Sequence, residues 1–321
     1  MKSSNIGGQA VIEGIMMKNK DKYSIAVRKP DNEIEVSVKN YKSVIPWKTP
    51  LKIPFVRGIF NFVDSLVLGM KTLTYSASFF VDEEEAVQTQ AEAVKKEKSD
   101  KAFMAFTVAL SIIFAIGIFM ILPYFISTFF KSHISSRVLL AIAEGMIRMA
   151  IFLAYILLVS RLKDIQRTFM YHGAEHKCIN CIEQELELNV ENVRKSSRQH
   201  KRCGTSFLFF VMIVSIIFCF FITAQTQWMR VLIRIAMMPF IAGVSYELIR
   251  LAGRSENRFI NILSKPGMWV QNITTKEPDD GMIEVAISAV EAVFDWRAFY
   301  VGDAAGEKQK GNEDQTKEAV S

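Results

Sequence analysis

Three of the chain's four histidines fall within about thirty residues, in Tyr171-His172-Gly173-Ala174-Glu175-His176-Lys177 and in His200-Lys201-Arg202-Cys203-Gly204-Thr205. On a helix, His172 and His176 stand at i and i+4, roughly 40° apart on one face, so both imidazoles can reach one ion. Glu183 falls on that same face further along. His200 and Cys203 come just before a long apolar run and can fold back beside the end of the preceding one, because antiparallel neighbours are the usual arrangement in a helical bundle. The expected metal ligands are therefore His172, His176, His200 and Cys203. Imidazole and thiolate together suit a divalent transition metal, zinc first, while the soft thiolate discriminates against magnesium and calcium. The competing reading is a solvated helix face.

His172, Glu175 and His176 also fit His-x-x-Glu-His, the inverted zinc-protease pattern, in which two histidines bind zinc and the glutamate activates the attacking water. Glu175 is thus the candidate catalytic base. That class takes a further carboxylate well downstream; Glu247 is at about the expected separation, but Arg250 could equally neutralise it. Cys178 and Cys181 read as buried or incidental thiols, since a continuing helix turns Cys181 away from His172 and no βαβ context for a redox pair is present. Glu144 and Arg148, at i and i+4 within an apolar run, are expected to neutralise each other facing the bundle interior. Arg202–Ser206 could offer a helix N-terminus to a phosphate or lipid headgroup, or simply be capped by Thr205 or Ser206. The carboxylates of Glu277-Pro278-Asp279-Asp280 read as helix capping and dipole complementation.

The elements that must position these residues are mostly apolar. A mean hydropathy of +0.19, with 24 Phe and 15 Met in 321 residues, is concentrated in the runs 103–130, 138–159, 207–222 and 229–249, most of which reach the roughly 20 residues a helix needs to cross a bilayer. Met1–Gly14 lacks an apolar stretch followed by a small-residue cleavage site, so no signal peptide is expected and the first crossing directs insertion. The loop 161–202 carries nine Lys and Arg, whereas Thr223–Trp228 carries none and Lys131–Arg137 only two. That bias places 161–202 and both termini in the cytoplasm. A net charge of +6 spread along the chain, without aromatic interleaving on one face, excludes a nucleic-acid reading. In a reducing compartment the four cysteines are expected free or metal-bound.

The expected architecture is a mainly α polytopic membrane helical bundle with about four transmembrane helices and a small N-terminal β-hairpin or sheet on the cytoplasmic side. Residues 1–54 form the β-rich segment, with Lys22–Lys29 and Glu33–Lys39 joined through Pro30-Asp31-Asn32. Residues 55–80 form an amphipathic helix, interfacial or packed on the bundle, with a fifth span as the rival. Residues 82–101 are a charged linker or solvated helix. The bundle covers 102–250 and includes the metal-site loop 161–206. A cytoplasmic segment follows over 251–301, with a loop at Ser264–Asp280 and a helix over Gly281–Arg297 capped by Asp280. The tail 302–321 is expected to be disordered.

Gly7-Gly8-Gln9-Ala10-Val11-Ile12-Glu13-Gly14, Tyr171–Lys177, His200–Phe207 and Glu277-Pro278-Asp279-Asp280-Gly281-Met282-Ile283-Glu284-Val285-Ala286, in that order, closely resemble the YqhQ-like bacterial family, a domain-of-unknown-function family numbered 1385. The resemblance spans roughly residues 5–290. It implies a bacterial multi-pass membrane protein, predicted to be a metal-dependent enzyme, with His172, Glu175, His176, His200 and Cys203 as the presumed site. Cys178 and Cys181 fall outside its motif. No substrate comes with it.

The leading expectation is a metal-dependent hydrolase at the cytoplasmic membrane surface, with zinc as cofactor and Glu175 as general base. The alternative is a non-enzymatic scaffold or partner-binding protein in which a structural metal pins the loop to the bundle. An open coordination position separates the two, because structural sites are closed by four protein ligands. A transporter ranks third, with only Glu144, Arg148 and Glu247 as polar candidates along a path. The expected partners are the lipid bilayer and a membrane or lipid substrate or a protein partner; a homo-oligomer is left open, and no nucleic acid is expected.

Overall fold

The computed structural model describes residues 3–44, 53–80, 90–134, 136–222, 226–254 and 257–301. Strands β1 (Gly7–Val11), β2 (Gly14–Asn19), β3 (Lys22–Arg28) and β4 (Ile34–Asn40) form one antiparallel meander in chain order. The expected hairpin is β3–β4, with Arg28 opposite Ile34, and β1 and β2 extend it. Each turn places one residue at positive φ, namely Glu13, Lys20 and Asn32. Side chains alternate across the central strands, and both faces are covered. Ile15, Met17 and Ala26 enter one core and Met16, Ile25 and Val27 another.

Helix α1 (Val56–Ala77) closes the second of those cores through Leu68 and packs along α8 (Gln227–Arg254). Gly58 permits this, since a Cβ there would lie 2.8 Å from the Tyr246 side chain and 3.0 Å from the Gly243 backbone. Helix α1 is thus held between sheet and bundle. It is not among the four helical stretches that, among the described residues, are long and apolar enough to cross a membrane, which are Phe103–Phe129, Val138–Val159, Gly204–Phe221 and Met229–Gly253. The first combines the end of α2 (Gln90–Ile116), a π-helical turn at Gly117–Ile121 and α3 (Leu122–Phe129). Pro123 lies just past that turn; lacking an N–H, it cannot complete a regular helical ladder. The second is α4 (Arg137–Val159), capped by the Ser136 hydroxyl accepting from Leu139 N–H. The third, α7 (Gly204–Phe221), begins three residues earlier than the apolar run suggests, because the helix starts at the small residues that precede it.

Between α4 and α7, α5 (Lys163–Glu183) and the short α6 (Val190–Lys195) lie against the sheet, followed after α8 by α9 (Arg258–Thr274) and α10 (Asp280–Glu291). Tyr171, Ala174, Cys178 and Ile182 of α5 and Met282, Ile283 and Ala286 of α10 pack on the sheet's first face. Two expectations are corrected here. Ser264–Asp280 is not a loop throughout: α9 runs past Pro266 to Thr274, because Val270 packs with Phe152, Ile156 and Met212 of α4 and α7 and that contact outweighs the proline. The last helix is capped one residue earlier, by Asp279 accepting from Met282 N–H at 2.8 Å, and ends at Glu291 before Asp295 starts a new turn through Ala298 N–H. Of the charged stretch 82–101, residues 90–101 are the opening turns of α2. Residues 82–89 and the tail 302–321 lie outside the described residues.

Candidate metal centre

Helix α5 carries His172, Glu175 and His176, and the chain enters α7 at Cys203. His172 Nε2 lies 3.2 Å from Cys203 Sγ, the two imidazole centroids are 4.4 Å apart, and one ligand atom from each of His172, His176 and Cys203 lies within 4.8 Å of the others. Each imidazole is aimed by its second nitrogen. His172 Nδ1 is 2.9 Å from the Thr274 carbonyl oxygen and His176 Nδ1 is 2.6 Å from that of Arg198. A carbonyl only accepts, so both rings carry a proton on Nδ1 there, which leaves Nε2 as the nitrogen a metal would take on losing its proton.

The segment that supplies Thr274 lies directly on α5. Lys276 N–H donates to Phe169 O at 2.9 Å, and a Cβ at Gly173 would stand only 2.0 Å from Lys276 O. Gly173, between the two histidines, is therefore what lets the strap reach His172. The loop before Cys203 is fixed from the next turn of α5. Buried Lys177 donates Nζ to Arg194 O at 2.8 Å and Ser196 O at 2.9 Å, and Asn180 Nδ2 donates to Ser197 O and Gln199 O.

His200, the fourth expected ligand, is not brought to the common point. Its Nε2 is 3.4 Å from Glu183 Oε2, while Glu183 Oε1 also accepts from Ser4 N–H at 2.8 Å and from Arg202. Burial pushes the Glu183 carboxyl up, but the bond from His200, the Arg202 charge and Ser4 N–H outweigh it and bring it down to about 2. Burial holds the His200 imidazole below its ordinary range, with Arg202 adding to that. His200 is therefore a neutral donor to a carboxylate that Arg202 neutralises.

At Cys203 burial opposes the thiolate, yet the His172 and His176 imidazoles outweigh it and hold the thiol well below its ordinary range. For His172 burial acts downward, and the Cys203 thiolate overrides it, raising the ring to about 9. Glu175 is buried, and desolvation raises its carboxyl against the pull of His176 and His172. Its Oε1 accepts from Gly8 N–H at 3.1 Å; a Cβ at Gly8 would lie 2.7 Å from Met16 O and 3.0 Å from the Glu175 carboxyl carbon. Strand β1 thus closes over the catalytic candidate at its glycine pair.

A cavity of about 630 Å³ opens from this cluster. Among the residues lining it, His172, Glu175, Arg202, Cys203 and Thr205 are polar, and Phe62, Leu66, Phe169, Phe207, Leu208 and Ile249 from α1, α5, α7 and α8 make up most of its apolar surface. Glu247 is not part of the cluster. Arg57 of α1 holds it in a two-pronged pair, Nε to Oε1 at 2.6 Å and Nη2 to Oε2 at 2.5 Å, with Arg250 more distant at 3.9 Å, so its principal counter-ion is Arg57. Neither Thr205 nor Ser206 caps α7: Thr205 Oγ1 lies 3.2 Å from Cys203 Sγ, and Ser206 Oγ accepts from Gln271. Asp280 and Glu277 pair with Arg194 and Lys177. Sequence reasoning passed over Gly173, Lys177, Asn180 and the Thr274 carbonyl; only the glycine between the two histidines was a signal that could have been followed.

The family described as "Protein of unknown function (DUF1385)" matches residues 53–296. The "Uncharacterized protein YqhQ" of Bacillus subtilis (strain 168) is 34% identical over 286 residues, 88% of this chain and 90% of that protein. No solved structure matches.

Proposed function

From the premise that the chain belongs to the DUF1385 family, we propose that it is a multi-pass membrane protein that binds zinc or another divalent transition metal and hydrolyses an amphiphilic substrate at the cytoplasmic membrane surface. The observation that carries this reading is the convergence of the His172, His176 and Cys203 ligand atoms to within 4.8 Å, with His172 and Cys203 lining a largely apolar cavity. Three protein ligands beside open space are the arrangement of catalytic zinc sites, whereas structural sites are closed by four. Membrane insertion is supported by the many large apolar side chains exposed along the candidate spans, among them Phe103, Ile113, Phe129, Leu158 and Phe221, since exposed apolar surface of that kind marks a contact with a membrane or a partner. The charge bias of the loops supports cytoplasmic termini.

When bound, the metal supplies Lewis-acid activation of water. The remaining work falls to the chain. Thr274 and Arg198 carbonyls keep both imidazoles aimed, Gly8 N–H steadies one oxygen of Glu175, and the Glu175 carboxylate takes the proton from the attacking water at the cavity wall. Phe62, Leu66, Phe207 and Leu208 hold the apolar part of the substrate and exclude bulk water. The scaffold alternative requires His200 to leave Glu183 and close the site as a fourth ligand.

Elemental analysis of the full-length protein, purified in detergent from zinc-replete cells, tests the reading. One equivalent of transition metal is expected in the wild type and none in the His172→Ala, His176→Ala variant. A metal-free wild type, or a variant that keeps its metal, overturns it. X-ray absorption on His200→Ala separates the two uses of the metal: an unchanged ligand set supports the open site, and loss of one nitrogen ligand supports the closed one.

A further inference from the structure

Far from the metal cluster, the apolar helices enclose a charge imbalance. Arg148 and Glu144 lie one turn apart on α4, and Arg148 Nη2 donates to Glu144 Oε1 at 3.0 Å. Arg234 of α8 approaches the same carboxylate and donates from Nη2 to Oε2 at 2.8 Å. The three side chains are only 7–9% exposed. One carboxylate therefore serves two guanidinium groups, and among the described residues no other acid pairs with either. The expected mutual neutralisation of Glu144 and Arg148 leaves Arg234 over.

Neutral groups meet the surplus only in part. Arg148 Nη1 donates to Ser215 Oγ on α7 at 2.7 Å, and the Arg234 guanidinium lies 4.9 Å from the centre of the Tyr124 ring of α3. Arg148 Nε, Arg234 Nε and Arg234 Nη1 are buried with no hydrogen-bond acceptor among the described residues. The last of these is 2.7 Å from Glu144 Oε1 but off the angle of a hydrogen bond. A buried lysine or histidine could shed such a charge by losing its proton; a guanidinium cannot. An uncompensated buried charge is strongly destabilising, so something anionic must meet it.

We infer that Arg148 and Arg234, with Ser215 and Tyr124 beside them, form a binding site for a singly charged anionic group within the helical bundle. The site is separate from the metal cluster: Ser215 lies twelve residues beyond Cys203 along α7, about 18 Å at 1.5 Å per residue. It lies toward the opposite end of the bundle, since Glu144 and Arg234 are each seven residues, or about 10 Å, inside the start of their helices. At that depth the ligand is either a small free anion or the headgroup of an anionic lipid drawn in between the helices, and both present the same chemistry to the guanidinium fork.

Thermal unfolding of the full chain in lipid nanodiscs decides between these sources and tests the site. In phosphatidylcholine discs, chloride replaces gluconate at constant ionic strength; in gluconate, phosphatidylglycerol replaces phosphatidylcholine. A saturable rise of roughly 5 °C in the midpoint is expected in one arm, as for a ligand well above its dissociation constant. A rise in the first arm identifies a free anion and a rise in the second a lipid headgroup. Arg234→Gln removes the surplus charge and leaves the Glu144–Arg148 pair, so its midpoint is expected to be independent of both. Arg234→Lys, which keeps the charge, retains the dependence and guards against a Gln variant that does not fold. A wild type indifferent in both arms, or an undiminished rise in Arg234→Gln, overturns the proposal.

Discussion

His172 Nε2 and Cys203 Sγ meet at 3.2 Å across 31 residues of chain, and the contact depends on a segment that carries no ligand atom of the cluster. The strap 274–276 crosses α5 above Gly173, where Thr274 O fixes His172 Nδ1 at 2.9 Å. The distance between imidazole and thiolate is thus set by a backbone carbonyl and a missing side chain.

Gly173→Ala tests this dependence. The added methyl group would lie 2.0 Å from Lys276 O, which is backbone, so the strap must move and release His172 Nδ1. Zinc affinity, followed by competition with a chromophoric chelator, is expected to fall about 10–100-fold, the usual cost of losing an orienting partner. Stability is expected to drop by about 1–3 kcal/mol, as for other overpacked sites. Unchanged zinc affinity in a folded variant would show that the strap does not aim the ligand.

Glu175→Gln separates binding from chemistry. Glutamine keeps an oxygen for Gly8 N–H, so fold and zinc content are expected to match the wild type. Hydrolysis of a fluorogenic long-chain acyl ester in mixed micelles is expected to fall by about 10²–10⁴-fold, the range attributed to a general base. A variant as active as the wild type would remove Glu175 from the chemistry.

What could be read in the sequence and what could not divide along a physical line. Runs of 18–27 apolar residues and the i, i+4 spacing of His172 and His176 are local properties, and the structure has those helices and that shared face. The joining of Cys203 to them needed only the default of antiparallel packing. Tertiary competition decided the rest. Pro266 signals a break, but Val270 packs in the core and the helix continues. His200 sits within reach of the cluster, with its ring 5.8 Å from that of His176, yet Glu183 draws its Nε2 away. Arg57 takes Glu247 and Arg234 joins Glu144 from 190 and 90 residues away in the chain, distances over which spacing carries no information. Gly173 and Gly8 look like any glycine until the backbone or carboxylate that needs their missing Cβ is in place.

The last prediction concerns acid stability and follows from Glu183. In the folded chain its carboxylate is held at about 2, against an ordinary 4.5, because the bond from His200, the Arg202 charge and Ser4 N–H together outweigh its burial. A depressed carboxyl contributes stability that is fully present above about pH 4.5 and is lost as pH falls toward 2. At roughly 1.4 kcal/mol per pH unit, and with some discount for the partly exposed Arg202, the contribution is about 2–3 kcal/mol. Glu183→Gln imitates the protonated acid. Its deficit against the wild type, measured by thermal unfolding in detergent, is therefore expected to be full at pH 7 and to shrink between pH 4.5 and 3. A deficit that stays constant over that interval would mean that Glu183 acts through shape and not through charge. Because Ser4 stands three residues before β1, the same titration should loosen the strand that covers Glu175, and protease cleavage near the N-terminus should accelerate over the same interval in the wild type, with Glu183→Gln cleaved at the faster rate at every pH.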